Sequence, residues 1–113
     1  MVNVIKSVGL ELRPGGTARF EGELHGSGAS FFLVKNNPGE GAMLHVHPYP
    51  ETWVVRAGRV RFTVGGEPVE AAAGDIVVGP ADVPHKFVCL GPELLEMVCI
   101  HPSPRFVQTD LPE

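Results

Sequence analysis

Two histidines and a carboxylate fall within seven residues, at His45, His47 and Glu51, and all three are good ligands for a first-row transition metal. His45 and His47 are two apart, so on a β-strand both side chains leave the same face, roughly 6–7 Å apart at the root. That separation suits two ligands of one ion. A helix would point the pair away from each other, and Pro48 and Pro50 exclude a helix here. The spacing predicts a single metal held by strand residues.

A second segment agrees with this reading. Residues 74–89, from Gly74 through Pro80 and Pro84 to His85 and Cys89, hold a glycine turn, a short apolar run, a proline turn and a further histidine. The first segment resembles the first cupin motif, G-x5-H-x-H-x3-E-x6-G, at Gly39, His45, His47, Glu51 and Gly58. The second resembles the second cupin motif, G-x5-P-x-G-x2-H-x3-N, at Gly74, Pro80 and His85. It departs at Asp82, where the family has glycine, and at Cys89, where the family has asparagine. The motifs occupy residues 39–58 and 74–89 of one expected domain, 1–113, and the departures leave the histidines and the glutamate intact.

The elements that must position these groups are short. Gly and Pro together number 25 of 113 residues, and the longest stretches free of both, Ala29 to Asn37 and Glu93 to His101, are nine residues. An average helix needs about 11–12 residues, so helices have almost nowhere to sit. The remaining runs are rich in Val and Phe with turn signals between them, which reads as an all-β barrel or sandwich. Predicted strands are 4–8, 18–21, 30–35, 42–47, 52–57, 59–64, 67–71, 75–78, 86–90 and 94–101. Gly65-Gly66 marks a tight hairpin, and Gly58 and Gly91-Pro92 mark two more reversals. The tail from Pro102 is expected to run extended over the surface or against a partner subunit. Pattern alone does not separate the β-barrel types. The cupin resemblance does, and implies a double-stranded β-helix, or jelly-roll, barrel.

Length allows one domain with one modest core. The formal charge of −4 argues against nucleic acid, which needs a clustered basic face. The only local basic cluster is Arg56, Arg59 and Arg61, and the last two share a strand face opposite Val60, Phe62 and Val64, as on a solvated sheet exterior. No apolar run approaches the roughly 18 residues of a membrane span, and the first residues show no secretory pattern. Two cysteines make no disulfide framework. A cytoplasmic protein with a small-molecule ligand is expected. Exposed sheet edges and an apolar outer face predict a homodimer, made through the amino-terminal strand and the tail.

With His45 and His47 inward, alternation puts Met43 inward as well. It groups Glu51 with Trp53 and Val55 on the next strand, and His85 with Phe87 and Cys89 on a third. The resemblance then implies one divalent ion, Fe, Mn, Ni, Cu or Zn, on His45, His47, Glu51 and His85, while oxygen-only ions such as Ca fit poorly. On the last strand the charged Glu96 should face water, which turns Leu95, Met97, Cys99 and His101 inward. The expected cavity lining is Met43, Trp53, Phe87, Cys89, Met97 and Cys99. Glu51 and His101 are the candidate catalytic groups, with His101 read either as a base or substrate contact near the ion or as a surface residue at the strand end. His25 is expected in a surface loop, Tyr49 over the mouth or exposed, and Arg105 in a rim, intersubunit or surface ion pair. Three functions fit: an oxygenase acting on a small oxygen-chelating substrate, a Lewis-acid isomerase or lyase, and a non-catalytic binding module.

Overall fold

The computed structural model describes residues 2–113. Among the described residues eleven strands are found: β1 (Glu11–Leu12), β2 (Ala18–Phe20), β3 (Ser30–Asn36), β4 (Gly41–Val46), β5 (Glu51–Ala57), β6 (Arg59–Val64), β7 (Glu67–Ala72), β8 (Ile76–Gly79), β9 (His85–Cys89), β10 (Leu95–His101) and β11 (Thr109–Asp110). They form a six-stranded sheet in the order β1-β2-β3-β10-β5-β8 and a five-stranded sheet in the order β11-β4-β9-β6-β7. Every pairing is antiparallel. This is the all-β jelly roll that the motifs implied. No helix among the described residues is long and apolar enough to cross a membrane.

Strict alternation places the core. On β10 Leu95, Met97, Cys99 and His101 are buried, and on β5 Glu51, Trp53 and Val55 are. Their partners across the barrel are Val60 and Phe62 on β6, both 0 % exposed. The opposite face of the larger sheet is also apolar. Register sets Leu33, Val98, Val54 and Ile76 in one cross-strand row and Phe31, Ile100, Thr52 and Val78 in the next. By contrast, Arg59 and Arg61 on the smaller sheet are exposed and both reach Glu70, as a solvated exterior requires.

Two glycines are demanded by geometry. Gly58 turns the chain between β5 and β6 at φ 81°, and a Cβ there would lie 2.6 Å from the Leu94 carbonyl oxygen. A Cβ on Gly79 would lie 2.5 Å from the indole of Trp53, so the absence of a side chain on β8 makes room for the largest core residue.

Two expectations need correction. Residues 4–8 form no strand; a short 3-10 turn, Ser7–Gly9, overlaps the end of that segment instead. Met43 is not inward but 78 % exposed. Between Ala42 and His45 the register against Phe87 and His85 gains one residue on β4, and this bulge breaks the two-residue period between Met43 and His45. The tail from Pro102 lies on its own chain, where Thr109 and Asp110 pair with Val46 and His45 as β11. The short β1 was not foreseen, because two residues carry no periodic signal.

Gly79→Ala should destabilise the protein by about 1–3 kcal/mol through overpacking against Trp53. Urea denaturation followed by fluorescence of this single tryptophan measures it, and a wild-type midpoint would contradict the packing described.

Candidate metal centre

The ligands come from both sheets at one end of the barrel. His45 ends β4 and pairs across the strands with His85, which begins β9. His47 lies one residue beyond β4, and Glu51 begins β5 on the facing sheet. The turn that precedes His85 contains Asp82 at φ 63°, a left-handed conformation in which aspartate is one of the few tolerated side chains. This accounts for its standing where the motif has glycine. The Asp82 amide donates to the His47 carbonyl at 2.8 Å, tying that turn to the ligand strand.

The four side chains meet. Ligand atoms of His45, His47, Glu51 and His85 all lie within 4.8 Å of one another, and each residue is at most 5 % exposed. The imidazoles are oriented from behind by backbone. His45 Nδ1 is 2.6 Å from the Met43 carbonyl, His47 Nδ1 2.8 Å from that of Val107, and His85 Nδ1 3.2 Å from that of Val83. A carbonyl only accepts, so each Nδ1 carries the proton and each Nε2 presents a lone pair.

Those lone pairs converge on a carboxylate. Glu51 Oε1 is 3.1 Å from Nε2 of both His47 and His85. With these tautomers, acceptor faces acceptor, which is unfavourable in a buried site unless a positive charge stands between them. The His47 contact also lies off the direction a hydrogen bond needs, so that buried nitrogen has no partner among the described residues. An orphaned imidazole nitrogen, two further imidazoles and one carboxylate oxygen are the donor set of a divalent transition metal, and these residues fit one.

His101 is buried at 1 % exposure, so the surface reading is wrong. It has the opposite tautomer. Tyr49 Oη accepts the Val107 amide at 3.2 Å and so donates its own proton to His101 Nδ1 at 2.7 Å. That leaves the His101 proton on Nε2, 3.3 Å from Glu51 Oε2. One oxygen of Glu51 thus faces the metal ligands and the other is held by His101. Burial would raise the Glu51 pKa, but the hydrogen bond donated by His101 leads the causes that oppose it, and the carboxyl is held below the usual range. Burial lowers the pKa of His45 and raises that of Tyr49, so at neutral pH the first is a neutral ligand and the second keeps its proton.

A cavity of about 540 Å³ opens on this site. Phe87, Cys99 and the exposed Met43 are among the residues that line it. Trp53, Cys89 and Met97 do not line it; they belong to the core at the closed end of the barrel, below the ligands. Trp53 still touches the site, edge-on to His85 at 5.0 Å between ring centroids. Burial pushes the Cys99 thiol well up, and the Glu51 carboxylate adds to this. Both cysteines are free, and Cys89 Sγ makes a 3.6 Å contact with the Glu93 carbonyl. Arg105 forms an exposed ion pair with Glu23, and His25 closes a surface turn stacked on Phe20. Sequence reasoning missed the role of Val107. Its signal is a backbone carbonyl, which no residue type announces.

A jelly roll with three histidines and one glutamate at its mouth defines the class of small metal-binding β-barrels. Residues 32–101, more than half the chain, match the model of the cupin domain, and the chain belongs to the cupin family. An uncharacterised protein of Streptomyces coelicolor is 38 % identical over 56 residues, covering 50 % of this chain and 53 % of that protein. Bacillus subtilis oxalate decarboxylase, an enzyme with Mn(II) centres, superposes with a TM-score of 0.77 at 24 % identity, over 89 % of this chain and 29 % of its own. The formate complex of Lactobacillus farciminis oxalate decarboxylase gives a TM-score of 0.77 at 23 % identity, over 89 % of this chain and 32 % of its own. The chain therefore spans about half of the Streptomyces relative and about a third of each decarboxylase chain. At these identities the decarboxylases show a shared fold.

His47→Ala should abolish stoichiometric metal binding, read by calorimetry or metal analysis against one equivalent for wild type. Tyr49→Phe removes the proton donated to His101 and the acceptor of the Val107 amide, and should weaken binding by about 10-fold, at the low end of what a lost outer hydrogen bond costs a metal site. One tight equivalent retained by His47→Ala would show the ligand assignment to be wrong. Affinity should fall as pH drops below about 6.5, because protons compete for the three Nε2 lone pairs. Burial should keep His45 neutral to lower pH than a free imidazole, which NMR of the apo-protein can follow.

Proposed function

We propose that the protein binds one divalent transition metal on His45, His47, Glu51 and His85 and uses it to convert a small organic substrate that chelates through oxygen atoms, in an oxygen-dependent reaction. The observation that carries this reading is the set of three imidazoles whose Nδ1 protons are engaged on backbone carbonyls and whose Nε2 lone pairs converge on one carboxylate oxygen. When bound, such an ion supplies Lewis acidity and, where it is redox-active, electron transfer to dioxygen. Fe, Mn, Ni, Cu and Zn all suit the donor set, and the Mn(II) of the Bacillus subtilis decarboxylase supports keeping Mn among them.

The residues themselves have separable tasks. The three histidines and Glu51 hold the ion. Glu51 stays a ligand rather than detaching as a base, because His101 engages its second oxygen. His101 keeps a proton at Nε2 and Tyr49 backs it at Nδ1, so a proton can be held beside the substrate without charging a ligand histidine. Phe32, Val34 and Phe87 exclude water from the cavity, which strengthens every charge interaction inside it.

A second reading, a Lewis-acid isomerase or lyase, is favoured by Cys99. Its thiol lines the cavity beside Glu51 and is an oxidisable neighbour for any oxygen chemistry. Apo-protein reconstituted with each metal in turn and screened with and without oxygen separates the two. Turnover that requires oxygen with Fe, Mn, Ni or Cu is expected; turnover with Zn under anaerobic conditions would replace the oxygenase reading with the isomerase or lyase one.

We also propose a homodimer, with the second copy seated on the apolar outer face of the larger sheet rather than on the tail, which its own chain uses. The rows Leu33-Val98-Val54-Ile76 and Phe31-Ile100-Thr52-Val78 are continuous, and Ile76 and Val78 are 66 % and 61 % exposed in the single chain. Light scattering should give twice the chain mass, and Val98→Asp should halve it. A wild-type species of one-chain mass at all concentrations would end the idea.

A further inference from the structure

The cavity runs from the metal ligands along β3, past Phe32 and Val34, to Asn36 at the strand end. Phe32 to Asn36 is four residues, about 13 Å of extended chain. We propose that this far end is a second recognition point, selecting substrates that carry a hydrogen-bond donor such as a hydroxyl at the end remote from the chelating oxygens, with Asn36 as its acceptor. The inference rests on the metal-chelation reading for the other end of the ligand.

Asn36 carries the argument. It is 7 % exposed, and its Nδ2 donates to the Lys35 carbonyl at 3.0 Å. That bond sets the amide orientation, since the flipped amide would place oxygen against oxygen. Oδ1 is then a buried acceptor with no hydrogen-bond partner among the described residues, on a residue that lines the cavity. Buried polar atoms are satisfied in the great majority of cases, and an unsatisfied acceptor is costly enough to need a reason. A donor arriving with the ligand supplies one.

The strand end that carries Asn36 is fastened, because the Thr17 hydroxyl donates to the Lys35 carbonyl and accepts the Lys35 amide. Between it and the metal ligands the wall is apolar, with Phe32 and Val34 lining it and the Arg13 guanidinium set over the Phe32 ring at 5.7 Å. A carboxylate would set its lone pairs against Asn36 Oδ1, whereas a hydroxyl donates to it. The apolar walls between call for a hydrocarbon or aromatic middle.

The test uses Zn-loaded full-length protein and is read by calorimetry with catechol and with two pairs of equal length: 4-(3-hydroxypropyl)catechol against 4-butylcatechol, and 4-(6-hydroxyhexyl)catechol against 4-heptylcatechol. At least one hydroxyl compound should bind about 10-fold tighter than its alkyl counterpart, the gain of one hydrogen bond and relief of one buried acceptor. Asn36→Leu should erase or reverse that preference while zinc stoichiometry and catechol affinity stay as in wild type. Equal binding within both pairs in wild type overturns the subsite and leaves Asn36 an ordinary hydrated residue. If catechol itself fails to bind, the chelation reading falls separately. The subsite is then decided by 6-phenylhexanol and the Asn36 side-chain amide signals in NMR, where a shift supports it and no shift overturns it.

Discussion

A buried carboxylate is the constraint around which this mouth of the barrel is organised. Glu51 is 3 % exposed, and removing a carboxylate from water costs several kcal/mol unless compensating charge and hydrogen bonds surround it. Four imidazoles supply that surrounding, and they do so in two different ways. His45, His47 and His85 turn unprotonated nitrogens inward, which compensates nothing until a cation joins them. His101 turns an N–H toward the second oxygen and compensates at once. The same carboxylate is thereby both a ligand and an anchored group.

The two sheets divide the labour that follows from this. β4 and β9 of the smaller sheet bring the histidine ligands, while β5 and β10 of the larger bring Glu51 and His101. The site exists only where the sheets face each other. Its rigidity comes from backbone: the carbonyls of Met43 and Val83 each engage a histidine two residues later, and Val107 reaches across from the tail. Val107 also gives its amide to Tyr49, so one tail residue orients His47 directly and His101 through a tyrosine. Phe106 packs edge-on against His101 and stacks on Phe32, which ties the tail to the cavity wall. Below the ligands, Trp53 joins the site to the apolar core, and Gly79 gives the indole its room.

Membership of the cupin family accounts for the barrel and the ligand set, and leaves the chemistry to the cavity. The fold supports many reactions, so what distinguishes this chain is the wall between the histidine–glutamate cluster and Asn36, and the thiol of Cys99 beside Glu51. Asp82 and Cys89, the two departures from the motif, do not touch this distinction. One occupies a left-handed turn that aspartate tolerates, and the other is a buried core residue.

Much of the molecule was legible in its residues. Spacing placed His45 and His47 on one strand face, and the alternation around Glu96 turned Met97, Cys99 and His101 inward. Glycine and proline density ruled out helices and marked the reversals at Gly58 and Gly65-Gly66. These signals are local: they depend on a period of two and on which residues accept unusual backbone angles. Alternation failed at Met43, because a bulge is a property of a strand pair and not of one strand. It could not tell cavity from core for Trp53, Cys89 and Met97, since both face inward and only depth along the barrel separates them. The docking of the tail, the tautomers of the four histidines and the unpartnered oxygen of Asn36 were likewise beyond it. Each rests on contacts between groups far apart in the chain, such as His47 with Val107, and such contacts come into being only when the two sheets close.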